Sequence, residues 1–159
     1  MPHNFRARLI PFTGLRGRAL ARLLQAPFVR FHRVQLGFVE RPVQYQQFLA
    51  EVIAPRLAEM PEPLGVFGSG EHTRVLLKAI PELDERIHCF LDNNASLWGQ
   101  ERLGHIVLPP AEAVRQCSSI FLSTAVFQHE LRKDLKRLSF SGPTLAVDDA
   151  VPPSWFLAA

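Results

Sequence analysis

The sequence predicts an α/β fold, a parallel sheet of about four to five strands flanked by helices, preceded by a helical, Arg-rich extension. Three observations carry that prediction. From Leu64 onward, short apolar runs alternate with segments of helical period, the pattern of a parallel sheet covered on both faces. A glycine turn, Gly68-Ser69-Gly70, joins the first run to the first helix, and the second run, Cys89-Phe90-Leu91-Asp92, ends on an acid. Charge also changes sign along the chain: nine arginines, no lysine and three acids give residues 1–60 a charge of +6, which leaves −3 on residues 61–159.

Residues 1–62 read as the extension. Leu15, Ala19, Leu20, Leu23 and Leu24 fall on one helical stripe and Arg18 and Arg22 on another face, so 14–25 is expected to form a short basic amphipathic helix that ends before Pro27. Phe28 to Phe38 is a candidate extended segment. Tyr45, Phe48, Leu49, Val52 and Ile53 repeat at i, i+3, i+4, i+7 and i+8, which predicts a helix from about Val43 that Pro55 should kink or stop, its apolar face docked on the main domain. Pro61-Glu62-Pro63 is the expected linker, because both prolines disfavour helix.

The body spans 63–150. Strand 64–68 leads through the glycine turn into helix 70–80, followed by strand 87–92 and a loop through Asn93-Asn94. A short extended piece at 105–108 precedes helix 110–116, which Pro109-Pro110 should start. Strand 118–123, helix 127–138, the Ser141-Gly142-Pro143 turn and strand 144–147 complete it. Residues 151–159, with Pro152, Pro153, Trp155 and Phe156, form an apolar tail expected to pack on this chain or on a partner.

A chain of 159 residues provides one substantial core and is short of the two full domains of a typical dehydrogenase. Its longest charge-free stretch, Gln116 to His129, is broken by Ser118, Ser119, Ser123 and Thr124 and falls short of a membrane span. Cys89 and Cys117 lie a structural unit apart and form no C-x-x-C, which argues against a disulfide framework or a thiolate zinc site. No apolar segment follows the first basic residues as in a secretory signal, and an organellar transit peptide should be Ser-rich, whereas the first serine is Ser69. A cytoplasmic protein is expected. The basic extension suits weak contact with an anionic membrane, a partner enzyme, a homodimer, or its own body, and no specific nucleic-acid site is expected.

The candidate binding residues cluster at strand ends. Gly68 and Gly70 permit a tight turn and close backbone approach, and the helix start at Ser69, Glu71 and His72 offers unpaired N–H groups and a positive dipole to an anion. Thr73 stands where G-x-G-x-x-G has its third glycine. Asp92 lies where an acid accepts hydrogen bonds from an adenosine ribose, although Asp92-Asn93-Asn94 also reads as turn chemistry. Ser123 and Thr124 end the third main strand and either line the same edge or cap the next helix near Phe127. Asp148 and Asp149 pair at the end of the last strand with no nucleophile opposite. His72 and His129 start helices, where each is a donor to an anion or a solvated residue. His88, His105 and the cysteines lack metal-ligand spacing, so no metal is expected. No catalytic residues are identified.

The order Phe90-Leu91-Asp92-Asn93-Asn94, Leu97-Trp98-Gly99-Gln100, Leu103-Gly104-His105 and Val107-Leu108-Pro109-Pro110-Ala111-Glu112 resembles a Rossmann-like module of bacterial surface-sugar biosynthesis. In that module a D-N-(D/N)-P-x-x-W-G loop precedes a G-x-x-V-x-x-P-x-E segment; Ala95 stands here in place of the proline. Similar modules accompany sugar acyltransferases, polysaccharide-biosynthesis dehydratases, sugar C-methyltransferases and glycosyltransferases. The likeness covers Leu64 to Asp149. It implies a binding module for a nucleotide or nucleotide-sugar, with Gly68, Ser69, Gly70 and Asp92 as contacts and the chemistry left to another domain. An NAD-linked oxidoreductase, an S-adenosylmethionine-type enzyme fragment and a non-enzymatic interaction protein are the alternatives.

Overall fold

The computed structural model describes residues 42–150, so the expected helix at 14–25, the extended segment at 28–38 and the tail at 151–159 lie outside the described residues. Helix α1 (Pro42–Phe48) runs through a π-helical turn (Leu49–Ile53) into α2 (Ala54–Ala58). The helix thus passes Pro55 instead of stopping there. Ala54 N–H bonds Leu49 O, five residues back, and the widened turn accommodates the carbonyl that a proline ring would otherwise strike. Tyr45, Phe48, Leu49, Ile53 and Leu57 are buried, so the apolar stripe does dock on the main domain. Arg86 ties the far end of this helix down by donating to Leu57 O at 2.6 Å and Met60 O at 2.8 Å.

The body contains β1 (Leu64–Phe67), α3 (Glu71–Ala79), β2 (Ile87–Leu91), β3 (Glu101–Arg102), β4 (His105–Leu108), α4 (Pro110–Ala113), β5 (Ser119–Leu122), α5 (Gln128–Arg137) and β6 (Thr144–Ala146). The strands form one six-stranded sheet in the order β3-β4-β2-β1-β5-β6. Every pairing is parallel except β3 with β4, where Glu101 faces Ile106 and Arg102 faces His105. The sheet is therefore mixed, one strand larger than the wholly parallel sheet expected. All five expected strands are present. The added strand has only two residues, reversed by Leu103 and Gly104 at φ 48 and 84, too short to carry a periodicity.

Strand residues alternate between two cores. Leu64, Val66, Phe90, Phe121 and Leu145 pack with the 42–58 helix and Leu76 of α3. Phe67, Cys89, Leu91, Ile120, Leu122 and Ala146 pack with Ala113, Leu131 and Leu135 from α4 and α5. Burial on both faces explains why β1 and β5 are apolar or small at every position. Short 3-10 helices at Pro81–Arg86 and Val147–Ala150 fill connections that the sequence pattern does not resolve.

β1 is the reversal point of the sheet. The chain moves from β1 outward through β2 to β4, then returns to the other side of β1 for β5 and β6. Such a reversal leaves a crevice at the carboxyl ends of the two strands on either side of it, β1 and β5.

Candidate functional site

At the carboxyl edge of the sheet, a cavity of about 570 Å³ is lined by Gly68, Ser69, Gly70, Glu71, His72, Asp92, Ser123 and Thr124. The structure thus brings these eight candidate residues to one place, and leaves His129, Asp148 and Asp149 outside it. Asn93, Phe127, Glu130 and Leu131 line it as well and were not singled out as ligand contacts. Phe127 is 60% exposed, an aromatic face at the rim suited to a base or sugar ring. The charged groups among the described lining residues, Glu71, Asp92 and Glu130, are all acidic.

The turn from β1 to α3 is dictated by crowding. Gly68 has φ 110, and a Cβ placed on it would lie 2.7 Å from the backbone oxygen of Ser123. Only glycine allows β1 and β5 to approach this closely. Gly68 N–H donates to Leu91 O at 2.7 Å, which pins the turn to β2 as well. By contrast, Gly70 has φ −96 and open space around it.

Behind the turn runs a chain of buried polar groups. Tyr45 OH and His72 Nε2 are 2.6 Å apart, His72 Nδ1 and Ser123 Oγ 2.9 Å, Ser123 Oγ and Thr73 Oγ1 2.8 Å, and Thr73 Oγ1 and Gly68 O 2.6 Å. Thr73 Oγ1 donates, with Gly68 O and Ser123 Oγ both within reach of its one proton, and the roles of the two ring nitrogens follow the tautomer of His72. Burial lowers the His72 pKa to about 4, so the ring is neutral at pH 7, with one nitrogen a donor and the other an acceptor. Burial pushes the Tyr45 phenol well above its ordinary range, which keeps it protonated.

This chain corrects the view of His72 as a solvated residue at a helix start. It is 7% exposed, and both ring nitrogens are engaged. Thr73, in place of the third glycine, is fully buried and ties the helix to the turn with its hydroxyl. The sequence carries these residues in plain view, but nothing local in it shows that Tyr45, 27 positions before His72, reaches it.

Asp92 has a similar internal role. Its Oδ2 accepts from Ser69 N–H at 3.2 Å and Ser69 Oγ at 2.7 Å, and its Oδ1 accepts from Asn94 N–H at 2.9 Å. A carboxylate offers about four acceptor positions, so roughly one stays available for a ligand hydroxyl. Asn94 in turn caps the 3-10 turn Ala95–Leu97, and Trp98 Nε1 donates to Asp92 O at 2.7 Å. Trp98 therefore secures its loop. Gly99 N–H to Val107 O and Val107 N–H to Gln100 O complete the link from loop to sheet edge, so the motif from Asp92 to Val107 builds the connection between β2 and β4.

The other candidates separate by role. Thr124 Oγ1 accepts from the N–H groups of Val126 and Phe127 at 3.1 Å, the capping role, while Ser123 serves the buried chain. Asn93 donates to Asp134 of α5 at 2.7 Å and bridges the rim. Asp149 accepts from Arg132 and from Ala146 N–H, and neither it nor Asp148 lines the cavity. His129 is exposed on α5. Among the described residues, no cluster of His, Cys, Asp or Glu is arranged to hold a metal ion, and no helix is long and apolar enough to cross a membrane. Comparisons of the chain with protein-family models, with curated proteins and with solved structures find no match.

Proposed function

We propose that this protein is a Rossmann-like binding module for a nucleotide or nucleotide-sugar, acting in surface-polysaccharide or sugar biosynthesis beside a partner that performs the chemistry. The observation that carries the reading is the cavity at the reversal point of the sheet, walled by the Gly68–His72 turn, Asp92 and the Ser123–Phe127 segment. Its biosynthetic setting rests on the order of motifs from Asp92 to Glu112. The lining favours the uncharged part of such a ligand. Glu71, Asp92 and Glu130 repel phosphates, Phe127 and Leu131 offer apolar contact, and Asp92 retains acceptor capacity for a hydroxyl. Countercharge for the phosphates has to come from other groups, and residues 1–41 hold eight arginines. A cytoplasmic setting and a weak contact of that basic segment with an anionic membrane or partner belong to the same proposal.

A thermal-shift panel of UDP-, GDP- and dTDP-sugars, NAD, NADP, S-adenosylmethionine and coenzyme A tests it. Ligand at about a hundred times its dissociation constant should add about 2.7 kcal/mol of stability, and a nucleotide-sugar is expected to give the largest shift. Silence across the whole panel would overturn the reading.

One observation favours a second reading, an interaction protein whose crevice is structural. His72, Ser123, Thr73 and Asp92 are held by one another and by Ser69. Under that reading the panel is silent, and light scattering finds a dimer or complex that is lost when residues 1–41 are removed.

A further inference from the structure

A second cavity, of about 510 Å³, opens at the amino edge of the sheet, opposite the first, with Cys117 in its wall and Arg115, Ser118, Ser139 and Ser141 around it. Cys117 is 8% exposed, and its Sγ lies 3.6 Å from that of the fully buried Cys89. Both are free thiols. Their meeting depends on Gly65, which pairs with Cys89 in the sheet and on which a Cβ would lie 2.8 Å from Cys117 Sγ. The bare backbone of β1 leaves the space through which Cys117 reaches over to β2. Buried cysteines ordinarily serve as small apolar side chains. Two in contact, one belonging to the wall of a cavity that holds Arg115 and the other buried behind it, have the arrangement of an attacking thiol backed by a resolving thiol.

We propose that Cys117 and Cys89 form a thiol–disulfide exchange site for a low-molecular-weight disulfide of the glutathione class, which enters by this cavity with its carboxylates toward Arg115. Cys117, as thiolate, attacks one sulfur of RS–SR; the Cys117–SR bond forms and the first RS⁻ leaves. Cys89, as thiolate, then attacks Cys117 Sγ, expels the second RS⁻ and closes Cys89–Cys117. The protein thiols give up two protons and two electrons, and the small disulfide becomes two thiols. Closure brings the sulfurs from 3.6 Å to about 2.05 Å. Hydrogen bonding to Cys117 and burial push the Cys89 thiol up, and Cys117, the cysteine in the cavity wall, is the one placed to attack first.

The test incubates the full-length protein with oxidised glutathione, alkylates the remaining thiols in denaturant and measures intact mass. The wild type should lose both alkylatable thiols, keep no glutathione and yield the Cys89–Cys117 peptide pair. Cys89→Ser should retain one glutathione on Cys117, and Cys117→Ser should leave Cys89 unmodified. Survival of both thiols in the wild type overturns the proposal, as does an unresolved glutathione adduct. Thiol loss that accelerates with urea in step with global unfolding also overturns it, because the pair is then reached only in the unfolded chain.

Discussion

The two ends of β1 each require a glycine, for different reasons. At the carboxyl end, Gly68 combines φ 110 with the backbone oxygen of Ser123 2.7 Å from the place of a Cβ. Toward the amino end, Gly65 is crowded by the Cys117 thiol at 2.8 Å and the Leu91 Cδ1 methyl at 2.9 Å, both side-chain atoms, and its φ is outside the positive range. A backbone obstacle held in a parallel ladder cannot move without breaking the sheet, whereas side chains change rotamer. The same residue type therefore marks a rigid turn at one end and an adjustable contact at the other. That contrast orders the expected effects of substitution.

Gly68→Ala should be the most damaging single change. Strain from positive φ costs about 1–2 kcal/mol, and overpacking against an immovable group about 1–3 kcal/mol more. A loss of about 2–5 kcal/mol is a large share of the ~5–15 kcal/mol that a domain has in total. Urea denaturation should show a much lower midpoint or no folded baseline. A loss under about 1 kcal/mol would mean that the approach of β1 to β5 at this point is looser than the geometry implies.

The rigid end should also reveal itself through pH. His72 is held neutral, with a folded pKa of about 4 against an ordinary 6.5, so the unfolded chain binds a proton that the folded one refuses. This contribution to stability is full above about pH 6.5 and falls as pH drops toward 4, by about 3 kcal/mol in all. The pH dependence of chemical denaturation between pH 7 and 4 measures it. His72→Gln should be less stable at pH 7 and should flatten the slope in that interval; an unchanged slope would place the titration elsewhere.

How much of this the sequence exposed depends on the range of each interaction. The apolar runs of β1, β2, β4 and β5 are local signals, and their spacing from the helices is enough to fix a parallel sheet. The candidate binding residues were legible for the same reason, since strand ends in such a sheet share one edge. What those residues bond to was not legible. Tyr45 meets His72, His72 meets Ser123, and Cys89 meets Cys117 across separations of 27, 51 and 28 positions. Spacing alone argues against a disulfide framework or a thiolate zinc site and says nothing of a contact; only the crossing of β1 brings the two thiols within 3.6 Å. Edge strand β3 stayed hidden because two residues cannot display a period of two.

At the adjustable end, Gly65→Ala should cost about 1–3 kcal/mol, the usual penalty for an added methyl in a packed core. The comparison sharpens in the double variant. Removing the obstructing sulfur with Cys117→Ala should return part of that loss, with a coupling of about 0.5–2 kcal/mol in a double-mutant cycle measured by urea denaturation. No equivalent rescue exists for Gly68→Ala, because its obstacle is the main chain of Ser123. Strict additivity of Gly65→Ala and Cys117→Ala would show that the methyl group is absorbed by Leu91 instead.

Gly70 completes the series as the glycine of the turn that packing does not require. It sits at the start of α3 with φ −96 and nothing within 4 Å of a Cβ. Asp is a favoured residue at a helix start, and its charge complements the dipole. Gly70→Asp should therefore change unliganded stability by no more than about 0.5 kcal/mol, measured as the urea midpoint. The new carboxylate would nevertheless join Glu71, Asp92 and Glu130 around the cavity. A phosphate-bearing ligand should then lose its thermal shift while the protein itself stays as stable as before. Had Gly70 a packing role like that of Gly68, both quantities would fall together, so the separation of the two measurements distinguishes a glycine kept for access from one kept for the fold.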